Sequence, residues 1–144
     1  MKRLDKVSNY WVNKDPFFVK YTCPNVTLFR FLGYLIDSIE GKKVLEIGFN
    51  NGADLLECKK RGADIYGTDI NPLAISKVEL DDKTKVKTSR CGVDPIPFSV
   101  EFDLIYSRDT IYYLSDDEIK FFIYNASKNI KEGGILLIQF IESD

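Results

Sequence analysis

The sequence predicts an α/β protein: a three-layer, doubly wound sheet, mainly parallel, of about five strands. Two observations lead there. Short apolar runs alternate with longer segments whose apolar residues recur at helical spacing, the pattern of strands joined by crossover helices. The last apolar run, Ile135 to Ile141, is apolar on both faces, as a strand between two helical layers must be. At 144 residues the chain is expected to form one domain, 1–144, and to bury roughly two-thirds of its unfolded surface.

The elements follow in order. Residues 1–24 form a polar-aromatic leader or lid segment carrying Tyr10, Trp11, Phe17, Phe18 and Tyr21, with one or two short helices. Residues 25–41 read as a covering helix, capped by Asn25, with an apolar face of Leu28, Phe31, Leu32, Leu35 and Ile39 and a stop at Gly41. The core, 42–144, opens with a strand from Lys43 to Ile47 and a helix from Ala53 to Arg61, stopped by Gly62. A second strand runs from Asp64 to Thr68. Asn71 then caps a helix with Pro72 at its first position, reaching about Leu80. Lys83 to Thr88 reads as a polar edge strand, and a loop with Pro95 and Pro97 follows. Phe102 to Ser107 is a buried strand. Ser115 and Glu118 form a capping box for a helix with Ile119, Phe122, Ile123, Ala126 and Ile130 on one face, ended by Gly133-Gly134. The fifth strand, Ile135 to Ile141, completes the sheet.

Composition excludes several classes. Charged residues at 29% and hydrophobic residues at 44% describe a soluble globular protein. A net charge of -2 gives no basic stripe for nucleic acid. Lys83, Lys85, Lys87 and Arg90 are read as a solvated edge rather than a phosphate site. Cys23, Cys58 and Cys91 are scattered and odd in number, so neither a disulfide framework nor a metal site is expected. No signal peptide or membrane span is seen, and a cytoplasmic location is the simplest expectation. Histidine is absent, which removes the commonest general base.

Chemistry concentrates in Val44-Leu45-Glu46-Ile47-Gly48-Phe49-Asn50-Asn51-Gly52 and Gly67-Thr68-Asp69-Ile70-Asn71-Pro72. A strand ending in a glycine turn, then a second ending in Asp, builds a site for a nucleoside-bearing ligand. Gly48 and Gly52 let the backbone turn sharply. Asn50 and Asn51 stand where a tighter motif has another glycine, and Asn tolerates a left-handed backbone best among the other residues. Asp69 is placed to accept hydrogen bonds from both hydroxyls of a ribose. The plainer alternative is a strand-helix turn and a capping Asp without a ligand. A nicotinamide site would want a GxGxxG turn facing a pyrophosphate. Here the third glycine is missing, and the anionic Glu46 suits a ligand carrying an ammonium and a sulfonium instead.

Glu46-x-Gly48-x-Asn50-x-Gly52 with Asp69 resembles the class I S-adenosylmethionine-dependent methyltransferases, and the ordered segments after it agree. Ile96-Pro97-Phe98, Phe102-Asp103-Leu104-Ile105, and Asn129-Ile130-Lys131-Glu132-Gly133-Gly134 through Ile138 are similar to that family's later motifs, so the likeness runs from about Lys42 to Ile141. The resemblance implies a Rossmann-like fold and S-adenosyl-L-methionine as cofactor. It implies that Glu46 and the turn Gly48, Phe49, Asn50, Asn51 and Gly52 receive the methionine part. Asp69 would hold the ribose, and Ile70 would pack on the adenine. Cys91 and Gly92 stand where the family has Asp-Ala at the adenine amino group, with Asp94 the one nearby acid that could substitute. Ser107 and Arg108 would lie beside the methionine moiety and the methyl acceptor. Asp94-Pro95-Ile96-Pro97-Phe98 superficially resembles the Asp-Pro-Pro-Tyr signature of amino-group DNA methyltransferases, but it precedes the fourth strand instead of ending it.

Methyl transfer from a sulfonium is an in-line displacement, so the protein's work is positioning and exclusion of water. If the acceptor must lose a proton, Asp109, Tyr112, Tyr113 and, from the leader, Tyr10 or Tyr21 are the candidate bases. Packing or lid roles are the plainer reading of the tyrosines, and a loop hydrogen bond that of Asp109. The family usually adds a helix and two strands after the fifth, which this sequence lacks. The fifth strand is then an edge, and a second copy or a partner chain is expected to cover it. The expected activity is methyl transfer, by direct displacement, to a small molecule or other acceptor that the sequence does not identify. The rivals are a non-catalytic subunit of the same fold and an NAD-dependent oxidoreductase.

Overall fold

The computed structural model describes residues 9–14 and 23–140. Within them, β1 (Lys43–Ile47), β2 (Asp64–Asp69), β3 (Val86–Thr88), β4 (Phe102–Arg108) and β5 (Ile130–Gln139) form one sheet in the order β3-β2-β1-β4-β5. Every pairing is parallel, where the sequence promised only a mainly parallel sheet. The order reverses between β1 and β4, so ligands are expected at the carboxyl ends of those two strands.

Among the described residues, α1 (Val26–Leu35), α2 (Ala53–Lys60), α3 (Pro72–Lys77) and α4 (Asp116–Asn129) flank the sheet, and residues 9–12 form a further helical turn. Alternation along β1 divides the core between two faces. Val44 joins Leu104, Tyr106, Leu55, Cys58 and the buried side of α1, while Leu45 and Ile47 join Phe98, Phe102, Phe122 and Ala126 beneath α4.

The helix starts follow local chemistry. Asn25 accepts from the Leu28 N–H, and Asn71 accepts from the Leu73 N–H with Pro72 at the first position. Ser115 and Glu118 exchange both hydrogen bonds of a capping box. Ser115→Ala is expected to lower stability by about 1 kcal/mol. A urea-unfolding midpoint equal to wild type would show that the box contributes nothing.

Helix ends and faces differ from expectation. The first helix stops at Leu35, not Gly41. Its buried face is Leu28, Phe29 and Leu32, whereas Phe31 and Leu35 are 50% and 44% exposed. Phe29 takes the inward position, with the Arg61 guanidinium 4.4 Å from its ring centroid, and Ile39 reaches the core from the loop beyond the helix. Ile123 on α4 is exposed for a related reason: the buried face of that helix centres on Glu118, Phe122 and Ala126. The third helix ends at Lys77, where the Lys83 ammonium donates to the carbonyls of Ile75, Ser76 and Val78. Residues Lys83–Lys85 are a 3-10 turn capped by Asp82, so β3 keeps only Val86–Thr88 of the expected strand.

Gly133-Gly134 do not end α4. The chain passes from Asn129 straight into β5, pairs Ile130 with Phe102, breaks register around Gly133 (φ 74°), and resumes at Ile135 opposite Leu104. The glycines shape an irregularity inside the strand. As the outermost strand, β5 leaves Ile135, Leu136, Leu137 and Ile138 only partly buried, although they face both cores. Ile141, expected in this strand, lies outside the described residues.

Candidate active site

The turn after β1 is built by its backbone. The Gly48 N–H donates to the Thr68 carbonyl at 2.7 Å, and Gly48, Asn50 and Gly52 all have positive φ, at 79°, 51° and 80°. Asn50 thus adopts the left-handed conformation expected of it. Gly48 is further constrained from above, because a Cβ there would lie 2.4 Å from the Thr110 hydroxyl. Thr110, in the loop after β4, escaped the sequence reading, since nothing local marks it as a neighbour of Gly48. The Asn51 side chain accepts from the Ala53 N–H at 3.1 Å and so starts α2. Phe49 turns inward: its ring fills the space that Gly67 leaves open on β2, and only its backbone belongs to the turn.

Asp69 ends β2 and is buried. Its Oδ2 accepts from the Asn50 N–H and its Oδ1 from the Asn71 N–H, both at 2.8 Å. One carboxylate thereby ties the glycine turn to the start of α3. Burial raises its carboxyl above the ordinary range, opposed by the N–H donors of Asn71, Asn50 and Ile70. Each oxygen retains a lone pair for a further donor. Ile70 beside it is half-buried.

Glu46 lies two residues before the turn, 3% exposed and paired in register with Gly67 on one side and Tyr106 on the other. The Tyr106 hydroxyl donates to its Oε2 at 2.7 Å. Burial, reinforced by the Asp54 carboxylate, pushes the Glu46 carboxyl up to about 8, against the pull of Tyr106 and Arg108. Nothing in the sequence marks Tyr106 apart from the other residues of this buried strand, so its role at Glu46 was missed.

Ser107 and Arg108 sit at the end of β4 as expected, but both are engaged within the protein. Ser107 donates its hydroxyl to the Ile47 carbonyl at 3.0 Å. The Arg108 Nε lies 2.9 Å from Asp54 Oδ2, an ion pair in distance whose N–H falls outside hydrogen-bond geometry. Asp54 is wholly buried and also accepts from the Asn25 N–H at 2.7 Å. It joins the starts of α1 and α2 to the end of β4. A first-turn Asp on a helix gave no sequence signal for this.

Cys91 and Gly92 line a small cavity with Ile47, Thr68, Ser89, Asp94, Ile96, Phe122 and Asn125, on the α4 side of the sheet. Burial pushes the Cys91 thiol up to about 12. Asp94 borders this cavity while its carboxylate is held by the Arg90 side chain at 2.9 Å, which keeps its pKa low.

Around the loop after β4, Asp109 has φ 53° and a buried Oδ1 with no hydrogen-bond partner among the described residues. Tyr113 meets Trp11 edge-on, with centroids 5.4 Å apart. The Lys14 carbonyl accepts from the Asn71 amide at 2.6 Å. Residues 9–14 therefore touch the loops after both β2 and β4. Tyr10 is exposed, with its hydroxyl accepting from the Lys14 ammonium. The Tyr112 side chain, and Phe17, Phe18 and Tyr21, lie outside the described residues. Also among the described residues, no group of three or more His, Cys, Asp or Glu is arranged to hold a metal ion.

A parallel sheet of this order, with a glycine turn after β1 under an acid that closes β2, has the architecture of class I S-adenosylmethionine-dependent methyltransferases. The model for a family described as "Methyltransferase domain" matches residues 23–144, and the chain belongs to that family. It is 29% identical over 115 residues to the electron transfer flavoprotein beta subunit lysine methyltransferase of Rattus norvegicus, covering 73% of this chain and 43% of that protein. It is 32% identical over 90 residues to the magnesium-protoporphyrin O-methyltransferase of Rhodobacter capsulatus, covering 60% and 40%. The chain thus spans about two-fifths of these relatives' length. A TehB-like SAM-dependent methyltransferase from Corynebacterium glutamicum superposes with a TM-score of 0.62 at 25% identity, covering 78% of this chain and 68% of that one. The magnesium protoporphyrin IX methyltransferase of Synechocystis PCC 6803, solved with bound SAM, shares the fold at 14% identity, with a TM-score of 0.70 over 91% and 73% of the two chains.

Proposed function

We propose that this chain binds S-adenosyl-L-methionine and transfers its methyl group to a small-molecule acceptor by direct displacement. The observation that carries the reading is Asp69: it fixes the Asn50 N–H of the glycine turn and still has lone pairs for the two ribose hydroxyls. The residues fit the cofactor. Gly48, Asn50 and Gly52 offer backbone at the turn, Ile70 an apolar surface, and Glu46 a buried carboxyl with no cation in ion-pair contact among the described residues. In this reading the cavity at Cys91 and Gly92 takes the adenine side. When bound, the cofactor supplies a methyl carbon on a sulfonium; the acceptor's lone pair forms the new bond as the carbon-sulfur bond breaks and its electrons stay on sulfur.

The chain's own work is to hold the two partners in line and keep water out. Asp109 is the best-placed group to orient the acceptor or take its proton, because a buried carboxylate oxygen without a partner costs free energy unless a ligand donor meets it. Tyr113 and Trp11 would wall that side. β5 is the outer strand of the described sheet, and we infer that a second copy or a partner chain pairs with it. Light scattering showing a clean monomer over a wide concentration range would refute that pairing. A cytoplasmic setting suits the free thiols of Cys58 and Cys91; among the described residues no helix is long and apolar enough to cross a membrane.

Calorimetry tests the cofactor directly. S-adenosylmethionine and S-adenosylhomocysteine are expected to bind and NAD is not. Binding of NAD alone would refute the reading. Binding of the sulfur compounds without turnover on any acceptor would favour a non-catalytic subunit.

A further inference from the structure

We propose that Glu46 links cofactor binding to a proton: its carboxyl stays protonated until a cation arrives and releases the proton when the sulfonium of S-adenosylmethionine binds. The site would then respond more strongly to the methyl donor, which carries an ammonium and a sulfonium, than to its thioether product, which keeps only the ammonium. This rests on the cofactor reading above.

The arrangement around Glu46 supports it. Tyr106 and Arg108 face it from β4, Asp54 and Cys58 from α2, and Asp69 from β2. The Tyr106 hydroxyl donates to Oε2 at 2.7 Å, leaving Oε1 to carry a proton. Tyr106 also lies 3.9 Å from the Cys58 thiol. The nearby guanidinium is already committed, since Arg108 Nε lies 2.9 Å from Asp54. Glu46 is therefore a buried carboxyl whose contacts are neutral and whose neighbouring charges include two further carboxylates. Such a group is stable as the neutral acid and ionises when positive charge is brought to it.

Burial holds the Cys58 thiol at about 12 and raises the Tyr106 phenol well above its ordinary value. Of the three, Glu46 at about 8 is the one that changes charge near neutrality. The balance is simple: the carboxyl O–H breaks, its proton passes to solvent, and the arriving sulfonium compensates the new carboxylate. S-adenosylhomocysteine keeps the ammonium but has no sulfonium, so it brings one positive charge fewer and draws out less of the proton.

The test is calorimetry of the full chain at pH 7 in buffers of different ionisation enthalpy. Close to one proton is expected to leave per S-adenosylmethionine bound, and clearly less per S-adenosylhomocysteine. Affinity for S-adenosylmethionine should rise about tenfold per pH unit up to about pH 8 and then level off. Glu46→Gln should abolish both the proton release and the slope. A ligand-free readout accompanies it. The folded carboxyl binds more protons than the unfolded one between the ordinary carboxylate range and about 8, so wild-type stability should fall as pH rises through that window. Glu46→Gln should lack that fall.

Should Glu46→Gln not fold, Tyr106→Phe serves. It removes a hydrogen bond to the charged form, so the transition should move to higher pH, and an unmoved transition overturns the proposal. Binding of S-adenosylmethionine to wild type without proton release, or equal release from Glu46→Gln, overturns it as well. No binding by wild type at all overturns the cofactor reading first, and the coupling with it.

Discussion

Asp54→Ala is expected to destabilise the protein by about 3 to 5 kcal/mol, the range for removing one partner of a buried ion pair. Asp54 has no exposed side-chain surface, while its partner Arg108 is 21% exposed. The substitution leaves the guanidinium partly buried without its carboxylate and the Asn25 N–H without its acceptor. Both losses act at the carboxyl edge of the sheet, where α1, α2 and β4 meet. A melting temperature lower by roughly 10 °C would follow for a chain of this size. The double variant Asp54→Ala with Arg108→Met removes the orphaned charge and should recover part of the loss. Asp54→Ala within 1 kcal/mol of wild type by urea unfolding, an error of about that size being usual, would show that the pair is not structurally important.

Asp69→Ala is expected to weaken S-adenosylmethionine binding by about a hundredfold or more, the scale of two charge-assisted hydrogen bonds. Two effects combine. On the proposed reading the ribose hydroxyls lose their acceptor, and the N–H groups of Asn50 and Asn71 lose theirs, so the glycine turn is no longer tied to the start of α3. Asp69→Asn separates them, since one acceptor oxygen survives while the second position becomes a donor. It should bind with intermediate affinity. Unchanged affinity in Asp69→Ala, measured by calorimetry on a folded sample, would remove Asp69 from the site.

Much of this architecture was legible because it is local. The Asn25, Asn71 and Ser115 caps act within a few residues. Gly48 and Gly52 satisfy a backbone requirement that neighbours cannot change, and Asn50 could be placed beside them on the same ground. Strand positions followed from apolar runs, and β1 was located to the residue. Helix phase was less accessible. Phe29 and Phe31 are equally apolar, and which one enters the core depends on how α1 docks on the sheet, where Phe29 joins Leu28, Leu32 and Leu55. The stop of α4 and the strand irregularity at Gly133 likewise depend on pairing with Phe102 and Leu104, which no local pattern encodes.

By itself, the sequence determined an alternating α/β chain with a glycine turn after β1 and an acid at the end of β2. Periodicity, capping and turn chemistry are set by residues close together in the chain. Only the tertiary structure decided what those residues touch. Glu46 meets Tyr106 across 60 positions, Asp54 reaches back to Asn25 across 29, and Thr110 closes over Gly48. Such contacts arise from strand register and helix docking, which gather distant polar groups in one dry place and change the charge that each can hold.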